Sequence, residues 1–172
     1  MGRIEPTAAY VQSILHYDPA TGIFTWRERS DRSQQWNGRF AGRVAGSIGT
    51  NGYIYIDIQG RATLAHRIAW LLVHGALPSS HIDHINMVTD DNRIDNLRAA
   101  TVSQNFFNKG KTSRNTSGLK CIYFDKQSQK WCFDLKVNRK RVARYKSKCR
   151  ADVYLRYVVA LDKHVGKFGR AA

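Results

Sequence analysis

His81-Ile82-Asp83-His84-Ile85-Asn86, followed by Asp91-Asn92-Arg93-Ile94-Asp95-Asn96-Leu97-Arg98 and then Gln104-Asn105, is the stretch on which the reading of this chain turns. It holds an acid, a base, several amides and a helix-start signal, the inventory for binding one divalent ion and activating a water beside it. In a short strand over residues 81–85, strict alternation points Ile82 and His84 to one face and Asp83 to the other. A turn at His84 lets acid and base border one cavity, and the polar run 86–92 is where the chain reverses. Leu97 supplies an apolar anchor. Thr101-Val102-Ser103-Gln104 has the capping-box pattern, so Asn105 falls in the second turn of a helix that begins near Thr101. Strand, loop, strand and helix fold back on one another, and the expected fold class is α+β.

The residues ahead of this stretch read as its scaffold. A helix end near Ile14, the turn Tyr17-Asp18-Pro19-Ala20-Thr21-Gly22 and a strand over 23–26 come first. Tyr53-Ile54-Tyr55-Ile56-Asp57-Ile58 is a strand by its aromatic and β-branched content. A Gln59-Gly60 turn leads into a helix over 65–74, which Gly75 and Pro78 stop. Residues 27–43 carry five arginines among Gly, Ser and Gln, and read as a mobile surface loop able to lie along a phosphate backbone or simply solvated.

Charge names the class of partner. Lys and Arg total 28 against 13 acids, a net charge of +15, which creates a field that attracts a polyanion such as nucleic acid. No apolar run reaches the roughly 20 residues of a spanning helix, and no secretion signal is read at the N-terminus, so membrane is disfavoured and the cytosol expected. Cys121, Cys132 and Cys149 are odd in number and widely spaced, which suits free thiols and argues against a zinc scaffold.

The charge is also uneven. Residues 1–113 hold 12 Lys+Arg and 9 Asp+Glu, whereas residues 114–172 hold 16 and 4. This asymmetry implies two modules, one over 1–110 with its core motif at about 79–109, and a basic one over 119–172, joined by a polar linker at 111–118. In the basic module, residues 120–124, 130–137 and 140–145 read as three strands of a small antiparallel sheet. Trp131, Phe133, Leu135 and Val137 share one face, with Lys130, Asp134 and Lys136 on the other. A helix over 150–164 is expected to cover the aromatic face with Ala151, Tyr154, Leu155, Val158 and Leu161. The basic face is then left for phosphates and base edges.

Asp83-His84, Asp91-Asn92-Arg93, Asn96-Leu97-Arg98 and Gln104-Asn105 resemble the signature of HNH endonucleases, whose ββα-metal motif holds one metal between a β-hairpin and a helix. The spacing agrees too, with 12 positions from His84 to Asn96 and 9 from Asn96 to Asn105. Together with Ala65-His66-Arg67-Ile68-Ala69-Trp70, the likeness spans roughly residues 50–110 and is nearest the phage and homing-enzyme branch. It implies that His84 is the general base, that Asp83 and Asn105 ligate Mg²⁺ or Mn²⁺, and that Asn96 fixes the loop and the His84 imidazole. Products with 5′-phosphate and 3′-hydroxyl ends are implied as well. Where relatives commonly carry Asp-Gly-Asn after the base, this chain has Asn86-Met87-Val88.

Arg93 and Arg98 are phosphate-contact candidates, against ordinary pairing to Asp90, Asp91 or Asp95. His81 and His66 read as an exposed loop residue and a packing residue. Residues 117–168, through Ser117-Gly118, Ile122-Tyr123 and Lys130-Trp131, resemble the Apetala-type (ethylene-response-factor) DNA-binding domain, with Cys121 where that family has Gly. Lys130, Lys136, Arg139, Lys140, Arg141 and Arg144 are the DNA-contact candidates there. The resulting expectation is a metal-dependent DNA endonuclease acting on double-stranded DNA, phage- or mobile-element-encoded, that nicks as a monomer and needs a dimer or a second encounter for a double-strand break. A DNA-binding regulator with a vestigial site and an RNA-binding accessory protein are the alternatives.

Overall fold

The computed structural model describes residues 6–110, 113 and 115–169. Lys111, Thr112 and Arg114, inside the expected linker, lie outside the described residues. The architecture is mixed α/β, with small antiparallel sheets, and its chain divides into two compact units between Ala99 and Ala100.

In the N-terminal unit, helix α1 (Ala8–Ile14) is capped by Thr7 and runs directly into the hairpin of β1 (Leu15–Asp18) and β2 (Ile23–Trp26). The hairpin turn is held by Asp18, whose carboxylate accepts from the Ala20 N–H and the Thr21 hydroxyl. Residues 27–43 are not the loop expected. Ser33 caps a short helix α2 (Gln34–Phe40), Asn37 bonds to the Arg29 backbone, and the Trp36 ring packs on Trp26 and Phe40. Aromatic contacts and a cap outweighed a composition that reads as solvated.

A sheet of β3 (Ser47–Ile48), β4 (Ile54–Ile58) and β5 (Arg61–Leu64) comes next, in antiparallel order. Gln59 and Gly60, both at positive φ, close the tight β4–β5 turn and so insert a strand that periodicity alone does not reveal. Helix α3 (Ala65–His74) ends at Gly75 in the left-handed conformation, as expected. Its Ala65, Ile68, Ala69 and Leu71 join Val11, Leu15, Phe24, Ile56, Ile82 and Leu97 in one core. On that core sit β6 (His81–His84), a 3₁₀ turn (Ile94–Asn96) and β7 (Leu97–Ala100), with β6 and β7 paired.

The C-terminal unit begins with helix α4 (Val102–Asn108), where the Thr101 and Gln104 capping box is complete on both sides. Phe107 of α4 enters the core formed by Ile122, Phe133, Leu135, Val153, Tyr157 and Leu161. The buried Lys120 ammonium donates to the carbonyls of Phe106, Phe107 and Lys109, at 3.1, 2.6 and 2.5 Å, a cation seated on the C-terminus of α4. Packing therefore divides the chain ahead of residues 111–118, where charge and composition change.

Strands β8 (Ile122–Asp125), β9 (Lys130–Val137) and β10 (Lys140–Ser147) form an antiparallel sheet with β9 central. Helix α5 (Arg150–Val165) covers the face bearing Phe133 and Leu135. Its buried stripe is Val153, Tyr157 and Leu161, not the one built on Ala151 and Leu155, and Leu155 is 64% exposed. Tyr157 decides the rotation, because its ring packs edge-on against Phe133 at 5.4 Å and fills more of the core than a Leu.

Candidate active site

Asp83 and His84 end β6 as neighbours, and both are buried, 6% and 4% exposed. The chain turns immediately after them. Met87 takes φ +66°, its N–H donates to the His84 carbonyl, and Asn86 Oδ1 accepts from the Val88 N–H. Met87 thus bears the left-handed conformation that closes this turn.

Two amides brace the returning chain. The Asn96 side chain accepts from the Asn86 N–H at 3.0 Å and donates to the Asp91 carbonyl at 2.8 Å, pinning both ends of the loop. Contact with the His84 ring comes instead from Asn92, whose Oδ1 lies 3.4 Å from His84 Nε2. His66 and Tyr53 complete the surroundings, with ring centroids 5.0 and 5.7 Å from that of His84. None of Asn92, His66 and Tyr53 has a catalytic role that the sequence declares. Asn92 stands in the motif, whereas nothing in Tyr53, just ahead of β4, signals where its ring will lie.

Electrostatics follow from this enclosure. Burial pushes the His84 imidazole below the ordinary histidine range, opposed by the Asn92 bond and by the charges of Asp83, Asp91 and Asp90, so the ring is neutral and able to accept a proton. Burial, with His84 and Arg67 adding to it, takes His66 down to about 3. Arg93 holds Asp91 at about 2 through a two-pronged ion pair.

The two arginine candidates separate. Arg93 is half exposed beside Asp91, whereas Arg98 is turned inward, its Nε 3.0 Å from Asp83 Oδ2, a partner not among the acids considered from sequence. His81 is exposed, as expected. Asn105 lies on α4, where its N–H donates to the Thr101 carbonyl at 2.9 Å. In the C-terminal sheet, the register places Lys130, Lys136, Arg141 and Arg144 on the face opposite α5. Arg139 is in the β9–β10 turn at φ +65°, and Lys140 pairs with Val137, in register with the other face. Arg141 is already held by both carboxylate oxygens of Asp134, at 2.8 and 2.7 Å.

A buried acid next to a neutral histidine, on a strand that turns back through a pinned loop and is succeeded along the chain by a capped helix, coincides with a match of residues 63–106 to the family model described as HNH endonuclease. Residues 63–106 are similar to the HNH endonuclease family. It is 38% identical over 76 residues to an uncharacterized HNH endonuclease of Acanthamoeba polyphaga mimivirus, covering 44% of this chain and 40% of that protein. It is 33% identical over 72 residues to Protein 3.8 of Escherichia phage T7, covering 41% of this chain and 60% of that protein. No solved structure matches the chain.

HNH nucleases generally use a divalent metal. The Asp83 carboxylate is a hard oxygen donor that fits such an ion. Among the described residues no three His, Cys, Asp or Glu side chains form a metal-holding group. No helix among the described residues is long and apolar enough to cross a membrane.

Proposed function

We propose that the chain is a metal-dependent endonuclease that hydrolyses phosphodiester bonds of double-stranded DNA. The observation that carries this reading is the buried Asp83–His84 pair within the segment that matches the HNH family. His84 takes the proton of the attacking water, and Asn96 holds the loop that keeps the base in place. Asp83 and Asn105 would hold one Mg²⁺ or Mn²⁺, which when bound stabilises charge on the scissile phosphate and the leaving 3′ oxygen. Asn105 is retained as a ligand on family resemblance and on its place in the first turns of α4.

The basic face of the C-terminal sheet, with Lys130, Lys136, Arg141 and Arg144, is assigned to the DNA backbone and bases, in keeping with its likeness to the Apetala-type domain. Arg139, Lys140 and Arg93 are assigned supporting phosphate contacts. Arg98 is assigned to Asp83 instead. One site per chain gives a nick by the monomer, and action on phage or host DNA in the bacterial cytoplasm, homing included, belongs to the same proposal.

Supercoiled plasmid incubated with Mg²⁺ or Mn²⁺ tests it. The wild type is expected to yield nicked circles, with EDTA and His84→Ala abolishing the product, and an intact plasmid across several metals and substrates would overturn the reading. One observation favours the rival, a DNA-binding regulator that does not cut. Arg98 already neutralises the carboxylate proposed to hold the metal. Plasmid retardation without nicking under all metals is the result that reading expects.

A further inference from the structure

We propose that the excursion over residues 27–43, through Arg32 and Arg39, is a clamp on the phosphate backbone of duplex DNA, carried by the N-terminal unit in addition to the basic C-terminal sheet. It rests on the reading of the chain as a DNA endonuclease. Residues 27–43 leave β2 and come back beside it: the Trp26 N–H donates to the Arg43 carbonyl, the Gly42 N–H donates to the Trp26 carbonyl, and Thr25 bridges to Val44. None of these residues joins the hydrophobic core, and α2 buries no residue. The segment also lies outside the stretch 63–106 that is similar to the HNH family. What such an ordered excursion contributes therefore lies on its surface.

That surface is cationic in a particular way. Its five basic residues are all arginines, and its acids are Glu28 and Asp31. Asp31 is neutralised within the segment, because its two carboxylate oxygens accept from the buried Arg29 at 2.9 and 2.5 Å. Glu28 is then set against Arg27, Arg32, Arg39 and Arg43, and the Arg27 Nε donates to the Leu15 carbonyl. Arg32 and Arg39 are exposed, and each guanidinium is seated on a ring, Arg32 5.7 Å from the Trp36 centroid and Arg39 5.2 Å from that of Phe40. The rings brace one another, with Trp36 5.1 Å from Phe40 and 5.7 Å from Trp26.

This arrangement selects the partner. A guanidinium held on an aromatic face loses less freedom on binding, and its planar fork matches two oxygens of a phosphate better than an ammonium does. Arg29 and Arg32 both lie over Trp36, at 5.6 and 5.7 Å, so guanidinium groups already hold the ring contacts that a stacked base needs. Phosphates, not unpaired bases, are the target, and a duplex displays them as a dense line of charge.

Anisotropy of a fluorescent duplex titrated with the full chain in EDTA, across a range of salt concentrations, tests the clamp in the absence of cleavage. Arg32→Gln combined with Arg39→Gln is expected to reduce the slope of log K against log salt by about 2 and to weaken binding about 10- to 100-fold at about 0.1 M salt. Arg32→Lys combined with Arg39→Lys keeps the charge and loses the fork. It is expected to keep the slope and to bind about 3- to 10-fold more weakly than the wild type.

A slope unchanged by the glutamine pair overturns the proposal, as does a lysine pair that binds like the wild type or a wild type that does not bind the duplex. Tighter binding of a single strand or of an RNA duplex, lost with the glutamine pair, assigns the surface to those partners and overturns it too. Loss of slope in a protein that nicks no plasmid supports the clamp and overturns the nuclease reading. Nicking with an unchanged slope does the reverse.

Discussion

At Gly22 the backbone φ is +76°, and a Cβ would lie 2.5 Å from Arg93 N and 2.6 Å from Asn92 C. Both obstacles are backbone, so a side chain there must displace the very loop that carries Asn92. Gly22→Ala is expected to cost about 2–4 kcal/mol in denaturant unfolding and to lower cleavage with it. Met87 is the opposite case, a residue with a side chain where glycine is at ease. Met87→Gly should leave the turn unchanged and raise stability by about 0.5–1 kcal/mol, read as a higher Tm. His66 sets an acid response. Its folded pKa, about 3, lies below the ordinary 6.5, so between those values the unfolded chain binds the proton and the folded chain does not. Stability from this group is complete above about pH 6.5 and is lost as pH falls, by at most about 1.4 kcal/mol per pH unit. His66→Phe is expected to flatten the fall of Tm on acidification through the weakly acidic range; an unchanged profile would show that the burial of His66 contributes nothing.

Elements differ in how openly the sequence declares them. The α3 boundaries and the α4 cap were legible because they rest on local chemistry, a left-handed Gly75 and the reciprocal Thr101–Gln104 bonds. Thr101→Ala should cost about 1 kcal/mol, measurable by chemical denaturation, since it orphans an N–H of the first turn. Helix α2 was not legible. It is held by the Trp26, Trp36 and Phe40 rings and by the Asn37–Arg29 bonds, which link residues brought together by the fold of the segment. The rotation of α5 was misread for a related reason. Periodicity supplies more than one apolar stripe when Tyr154, Leu155, Tyr157 and Val158 lie so close together, and only the Phe133 ring chooses among them.

For the molecule as a whole, charge and packing draw different boundaries. The excess of cations begins near residue 114, whereas Phe107 and the Lys120 cap place α4 in the C-terminal core. Truncating the basic segment would strip α4 of that core and with it disturb Asn105, so charge substitutions are the sounder probe of the proposed DNA binding. Lys136→Gln combined with Arg144→Gln should weaken binding and reduce the slope of log K against log salt by about 2, one for each phosphate no longer neutralised. An unchanged slope would remove the sheet face from the interface. Sequence by itself determined the chemistry available: the acid–base pair with its amides at family spacing, the capped helix behind it, and a net charge of +15 that suits a polyanion. These depend on residue type and local spacing. Only the tertiary structure decided which amide faces the His84 ring, that His66 and Tyr53 enclose it, that Arg98 meets Asp83, and which unit owns α4. Each of those is an encounter between side chains distant in sequence, fixed by burial and hydrogen-bond satisfaction across the fold.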